Sequence, residues 1–255
     1  MIIDVHGHYG TTFFPIDVEY EDAIVKMMDS YAIDICVISG LRGLFYGQDN
    51  CNEEVFRGLK NSGGRLVGYV VGNPNHIEQS LADIERYAKE KEFVGVKFHP
   101  AWHGVPIDDR RYTPILQLCE ELNLPILIHS FVSEFVGLQI SEPERVVKVA
   151  KEYKCPIIMG HMGGNTRRGV EAAKRYDNIF VEICGGRQDA DSRSVWTLDR
   201  VELPLKELGA DRILFGTDLP LVDPSSSFGI VEEAEILPAD REKIMYKNAK
   251  QLFHL

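Results

Sequence analysis

The sequence predicts a single α/β domain over residues 1–255, folded as a (β/α)8 TIM barrel, and three observations lead there. Eight β-rich runs recur along the chain, helix-length stretches with one apolar face separate them, and histidines or carboxylates stand at the C-terminal ends of several runs. The length of 255 residues matches the roughly 250 typical of one such barrel.

The runs extend from Ile2 to His8, Ile33 to Ser39, Arg65 to Val71, Phe93 to His99, Pro125 to His129, Pro156 to His161, Ile179 to Ile183 and Arg212 to Thr217. Ile24, Met27, Met28 and Tyr31 share one helical face by their spacing, as do Ile115, Leu118, Cys119 and Leu122. Asn75 ahead of Glu78, and Ser141 ahead of Glu144, mark two expected helix starts. Pro204 interrupts the stretch 195–208, where a loop and a short helix are expected. Helix-length crossovers between consecutive strands imply a parallel sheet, closed into a barrel or, as the alternative, open and doubly wound.

Composition narrows the function. A 44% apolar and 26% charged chain can form a large core, and 39 acidic against 28 basic residues give a net charge of -11. That charge disfavours nucleic acid and anionic membrane as partners, whereas a small anionic substrate can still be held by a few arginines in a low-dielectric mouth. The five cysteines, Cys36, Cys51, Cys119, Cys155 and Cys184, include no Cys-x-x-Cys pair. A disulfide framework or thiolate zinc site is therefore not expected, and a cytoplasmic location is. No apolar run approaches the roughly 20 residues of a membrane span, and the N-terminus has no basic, then apolar, leader pattern. A homo-oligomer is compatible with all of this.

His6 and His8 alternate on the first run, so their rings should project to one side, roughly 6.5–7 Å apart along the backbone, a span that one metal ion bridges. Asp4 is expected on that same face, deeper in the barrel, where a carboxylate would orient a histidine. His129 and His161 end the fifth and sixth runs, and Asp218 follows the eighth. Any one of these could be a packing residue, but five metal-compatible groups at four corresponding strand ends point to one site, provided the barrel closes.

The segments Ile3-Asp4-Val5-His6-Gly7-His8, Gly95-Val96-Lys97-Phe98-His99-Pro100, Pro125-Ile126-Leu127-Ile128-His129, Gly160-His161-Met162-Gly163-Gly164 and Arg212-Ile213-Leu214-Phe215-Gly216-Thr217-Asp218-Leu219-Pro220 together resemble the amidohydrolase-related family that includes aminocarboxymuconate semialdehyde decarboxylase. The resemblance spans nearly the whole chain. It implies one divalent ion, zinc first, with manganese, iron or cobalt compatible, held by His6, His8, His129 and Asp218. It further implies a metal-activated water, Asp218 as proton acceptor, and His161 polarising the substrate oxygen.

Binuclear relatives in the superfamily carboxylate a lysine on the fourth strand. Lys97 is instead expected to pair with a barrel acid. Glu182, inward if in register with Cys184, needs a partner such as Lys97 or a metal-bound histidine. Cys184 itself is read as an ordinary buried cysteine. Substrate contacts are expected from Arg42, His99, Trp102 with its neighbour His103, and Arg187, the arginines clamping a carboxylate. The leading expectation is hydrolysis of an amide, ester or lactone bond in a small carboxylate-bearing substrate. The alternatives are decarboxylation of an unsaturated or aromatic carboxylate and, more remotely, a metal-dependent DNase or a non-catalytic ligand-binding barrel.

Overall fold

A computed structural model describes residues 1–10, 21–45, 47, 50–131, 139–184 and 199–255. The eight strands are β1 (Ile3–Tyr9), β2 (Ile35–Gly40), β3 (Leu66–Val71), β4 (Phe93–Phe98), β5 (Ile126–His129), β6 (Ile157–Gly160), β7 (Ile179–Glu182) and β8 (Ile213–Leu214). All neighbours pair in parallel, in sequence order. The ring closes between the β8 end and β1: Val5 N donates to Phe215 O at 2.9 Å, Asp218 N to His6 O at 2.8 Å and His8 N to Leu219 O at 2.8 Å. The expected barrel is therefore formed, and the open-sheet alternative is excluded. Among the described residues no helix is long and apolar enough to cross a membrane.

Apolar side chains fill both sides of the strands. Ile3, Val5, Val37, Tyr69, Leu127, Ile158 and Leu214 form one buried cluster, and Cys36, Ile38, Val70, Val96, Ile128, Met159 and Val181 belong to a larger one with the helices. This two-sided burial is what a parallel strand between a barrel interior and a helical layer requires.

β1 departs from simple alternation. Its pairing with β2 shifts between Asp4 and Gly7, so three steps on β1 face two on β2. Such a bulge reverses strand parity. Val5 consequently packs inside, while a side chain at Gly7 would meet Cys36 and Ile38 of the outer layer. Asp4 does not join the histidine face, contrary to expectation. Its Oδ1 accepts from His6 N and Thr217 N, both at 3.0 Å, and Oδ2 accepts from the Thr217 hydroxyl. Asp4 thus ties β1 to the β8 end beside Asp218. Burial pushes its carboxyl up to about 7 against these hydrogen bonds. Thr217→Val, which strands these buried partners, is expected to lower unfolding free energy by about 1–3 kcal/mol, read from urea midpoints at constant slope.

Three local expectations are corrected. The stretch around Pro204 is one helix, Asp199–Leu208. Proline deletes only one hydrogen bond there, and burial of Val201 with packing of Leu203, Leu205 and Leu208 against the core outweighs it. Asn75 is not a cap: the helix starts at Ile77 behind His76, and the Asn75 amide donates to His103 O at 2.8 Å. Nor is Ser141, because Glu142 precedes Pro143 at the first helical position, where proline's fixed φ and missing N–H are tolerated.

Candidate active site

The C-terminal mouth gathers His6 and His8 from β1, Lys97 from β4 and His99 just after it, His129 from β5, His161 after β6, Glu182 and Cys184 from β7 and its end, and Asp218 after β8. His161 and Asp218 adopt left-handed backbone, with φ of 51° and 66°. Each costs about 1–2 kcal/mol for a residue with a Cβ, a strain that marks functional positions.

His6 is held at both nitrogens. Nδ1 lies 2.9 Å from Glu182 Oε1, and Nε2 lies 2.7 Å from Lys97 Nζ and 3.6 Å from Asp218 Oδ1. A carboxylate on one imidazole nitrogen fixes the tautomer and turns the other toward the mouth. Glu182 also accepts from the backbone N–H groups of His161 and Cys184. Its carboxylate approaches so closely that a Cβ at Gly216 would lie 2.8 Å from Oε2, which explains the glycine there. The sequence expectation of a histidine partner for Glu182 agrees with this geometry. Lys97 differs from expectation: its partner is the His6 imidazole, and no acid lies within salt-bridge distance among the described residues. Burial lowers the Lys97 ammonium to about 8, opposed by Asp218 and Glu182.

His8 Nε2 lies 2.9 Å from Asp218 Oδ1, and its Nδ1 lies 3.1 Å from the Ser39 hydroxyl. His129 Nδ1 meets His161 Nε2 at 3.0 Å. Burial drives His6 and His129 well below the usual imidazole range and lowers His8. Burial would raise Asp218, but the His8 hydrogen bond leads the interactions that overcome it and hold the carboxyl below its ordinary value. Lowered imidazoles at His6, His8 and His129 beside a lowered Asp218 carboxyl favour the protonation state that receives a divalent cation. Among the described residues, His6, His161, Cys184 and Asp218 form a donor set whose ligand atoms all lie within 4.8 Å of one another. Relative to the expected quartet, His8 and His129 stand one hydrogen bond behind Asp218 and His161.

With this geometry in place, the sequence comparison is decisive: the profile of the Amidohydrolase family matches residues 46–255. The chain belongs to the amidohydrolase family. No curated protein matches it. This amidohydrolase is similar in fold to three solved structures. One, from Staphylococcus aureus and described as a candidate amidohydrolase, has 18% identity and a TM-score of 0.77 over 100% of this chain and 99% of that one. A dihydroxybenzoic acid decarboxylase from Polaromonas, with bound manganese and 2-nitroresorcinol, has 19% identity and a TM-score of 0.75 over 100% and 97%. A protein of Acinetobacter baumannii assigned as a 2-pyrone-4,6-dicarboxylic acid hydrolase, with bound citric acid, has 15% identity and a TM-score of 0.71 over 100% and 99%.

The expected substrate residues of the amidohydrolase divide. His99 stacks between His129, at 3.8 Å between ring centroids, and Trp102, at 3.7 Å, and Trp102 stacks on Phe45 at 3.7 Å. These rings form a flat column beside the histidines. Arg42 instead points its half-exposed guanidinium toward Glu54 at 3.5 Å and lines a cavity with Tyr9, Glu21 and Arg57. Arg187 lies outside the described residues. Sequence reasoning missed Ser39, although it ends the second β-rich run and its position alone could have indicated it. It also missed Arg200, whose Nη2 donates to Ile183 O just past β7 while Nε and Nη1 have no hydrogen-bond partner among the described residues. Nothing in the sequence singles out that arginine.

His103 turns away from the cluster, its Nε2 3.3 Å from Gly43 O. Burial lowers it to about 4 from 6.5. The unfolded chain therefore binds the extra proton between those values, so stability falls as pH drops from 6.5 to 4. The contribution is about 3 kcal/mol. His103→Gln should flatten the wild-type loss of stability over that interval, compared by urea unfolding at both ends.

Proposed function

We propose that this amidohydrolase cleaves an amide, ester or lactone bond in a small carboxylate-bearing substrate, using one divalent ion and an activated water. The observation that carries the reading is the Asp218 carboxylate, 3.6 Å from His6 Nε2 and 2.9 Å from His8 Nε2, among the buried histidines at the barrel mouth. His6, His161 and Asp218 would hold the ion, with His8 and His129 supporting them. Zinc suits the donors, and manganese, iron or cobalt are compatible. A bound ion supplies Lewis acidity and brings the pKa of its water toward neutrality.

The residues have separable tasks. Glu182 holds His6 in one tautomer. His8 donates Nε2–H to Asp218 while accepting from Ser39, which orients the carboxylate as proton acceptor. His161, its Nε2 met by His129 Nδ1 at 3.0 Å, would present its other nitrogen to the ion. The column of His99 and Trp102 offers a flat wall to a planar substrate, and Arg200 adds positive charge near the end of β7 for its carboxylate.

Decarboxylation is the second reading. It is favoured by the flat aromatic wall together with the fold likeness to the manganese-containing dihydroxybenzoic acid decarboxylase. Lactones, esters, amides and hydroxylated benzoates, each incubated with metal-loaded protein and with Asp218→Asn, decide between them. Acid release from lactones or esters that Asp218→Asn loses supports hydrolysis. Carbon dioxide release alone moves the assignment to a carboxy-lyase, and neither product sinks both.

A further inference from the structure

His161 opens a run of left-handed backbone. His161, Met162, Gly163, Gly164 and Asn165 follow one another with φ of 51°, 46°, 64°, 80° and 55°. Glycine takes that conformation freely, but His161, Met162 and Asn165 each carry a Cβ that opposes it, and such residues visit it singly rather than in runs. A run of this kind persists only where its surroundings over-determine it, and here they do. His161 N donates to Glu182 Oε1, and Asn165 N donates to His161 O. Thr166 Oγ1 donates to Gly163 O at 3.0 Å and accepts from Gly169 N at 3.2 Å, at the start of the helix Arg167–Ala173. That helix lies so close to the turn that a Cβ at Gly169 would overlap Met162 O.

Within this frame the buried Asn165 makes the bond that reaches the active site. Its Nδ2 donates to Cys184 O at 3.1 Å, and the same carbonyl lies 3.4 Å from His161 Nδ1. Asparagine suits the place because it tolerates left-handed backbone and carries an N–H donor on a short side chain. We propose that Asn165 is a positioning residue: by clamping the turn 161–165 to the end of β7, it sets the angle of the His161 ring beside His6, whose centroid is 4.9 Å away. The inference rests on the metal-centre reading above, in which His161 holds the ion, and it gives Asn165 no contact with ion or substrate. Thr166 and Gly169 keep the turn folded, whereas the Asn165 amide fixes where the turn stands relative to β7.

Two variants separate the clamp from the backbone. Asn165→Gly keeps the left-handed conformation and removes the amide, and Asn165→Asp keeps the shape but turns an acceptor toward Cys184 O. Either one suffices if the other fails to fold by circular dichroism. In the full chain, cobalt(II) affinity from the visible absorption bands should fall by about 10-fold or more, with the bands shifted. The ring is also read without any ion. In carbon–proton NMR spectra of the metal-free protein, with the His161 peak identified by its loss in His161→Gln, the variant should move that peak and leave those of His103 and His254 in place. An unmoved His161 peak with wild-type cobalt affinity overturns the positioning role, and so does movement of all three peaks together, which marks a general rearrangement. If wild type binds no cobalt while the His161 peak alone moves in the variant, the positioning role stands and the metal-centre reading falls.

Discussion

Asp218→Asn is expected to lower turnover by about 10²–10⁴-fold, the range for loss of a positioned proton acceptor, while the barrel stays folded. The fold survives because Asp218 closes β8 onto β1 through its backbone N–H to His6 O at 2.8 Å, a bond that the asparagine retains. What disappears is the negative charge. The carboxyl is held below its ordinary range, so it is ionised across the working pH range and always available as an acceptor. The asparagine amide can still meet His8 but cannot accept a proton. Steady-state rates with a responsive lactone or ester, beside circular dichroism of both proteins, check the prediction. An unchanged rate would remove Asp218 from the chemistry.

Glu182→Gln should weaken divalent-metal affinity by about 10–100-fold, as for other carboxylates that orient a ligand histidine. Glu182 receives His6 Nδ1 at 2.9 Å and the backbone N–H groups of His161 and Cys184. It therefore sets one imidazole and two backbone segments of the site at once. Glutamine has one acceptor oxygen in place of two, and its NH2 must face one of these donors. Competition against a chelator gives the affinity. Loss of metal affinity with retained thermal stability separates positioning of the site from general collapse of the core.

The barrel was legible because its signal is repetitive: each β-rich run meets its partner in sequence order, and the C-terminal ends of those runs carry the histidines. Lys97 and Glu182 were recognisable as inward by alternation, although the bond from Lys97 goes to His6 and not to an acid. Alternation fails at β1, where one extra residue between Asp4 and Gly7 removes Asp4 from the histidine face. A bulge leaves no compositional trace, so no count of residues along the strand could reveal it. Distances across the mouth were equally out of reach. The placement of His161 and Cys184 beside His6 depends on left-handed backbone at His161 and on the hydrogen bonds around Glu182, and both are tertiary. Arg42 was plausible from its place after the second strand, but Glu54 engages it. Pro204 shows the opposite failure, local propensity overruled by the packing of Leu203, Leu205 and Leu208.

The central claim is that one divalent ion is held at the histidine and aspartate cluster. Metal content by plasma mass spectrometry, on untagged protein purified without added metal, tests it most directly, with His6→Ala measured alongside. About one zinc or manganese per wild-type chain, lost in His6→Ala, is the predicted result. Wild type without metal, or His6→Ala with undiminished metal, would contradict it.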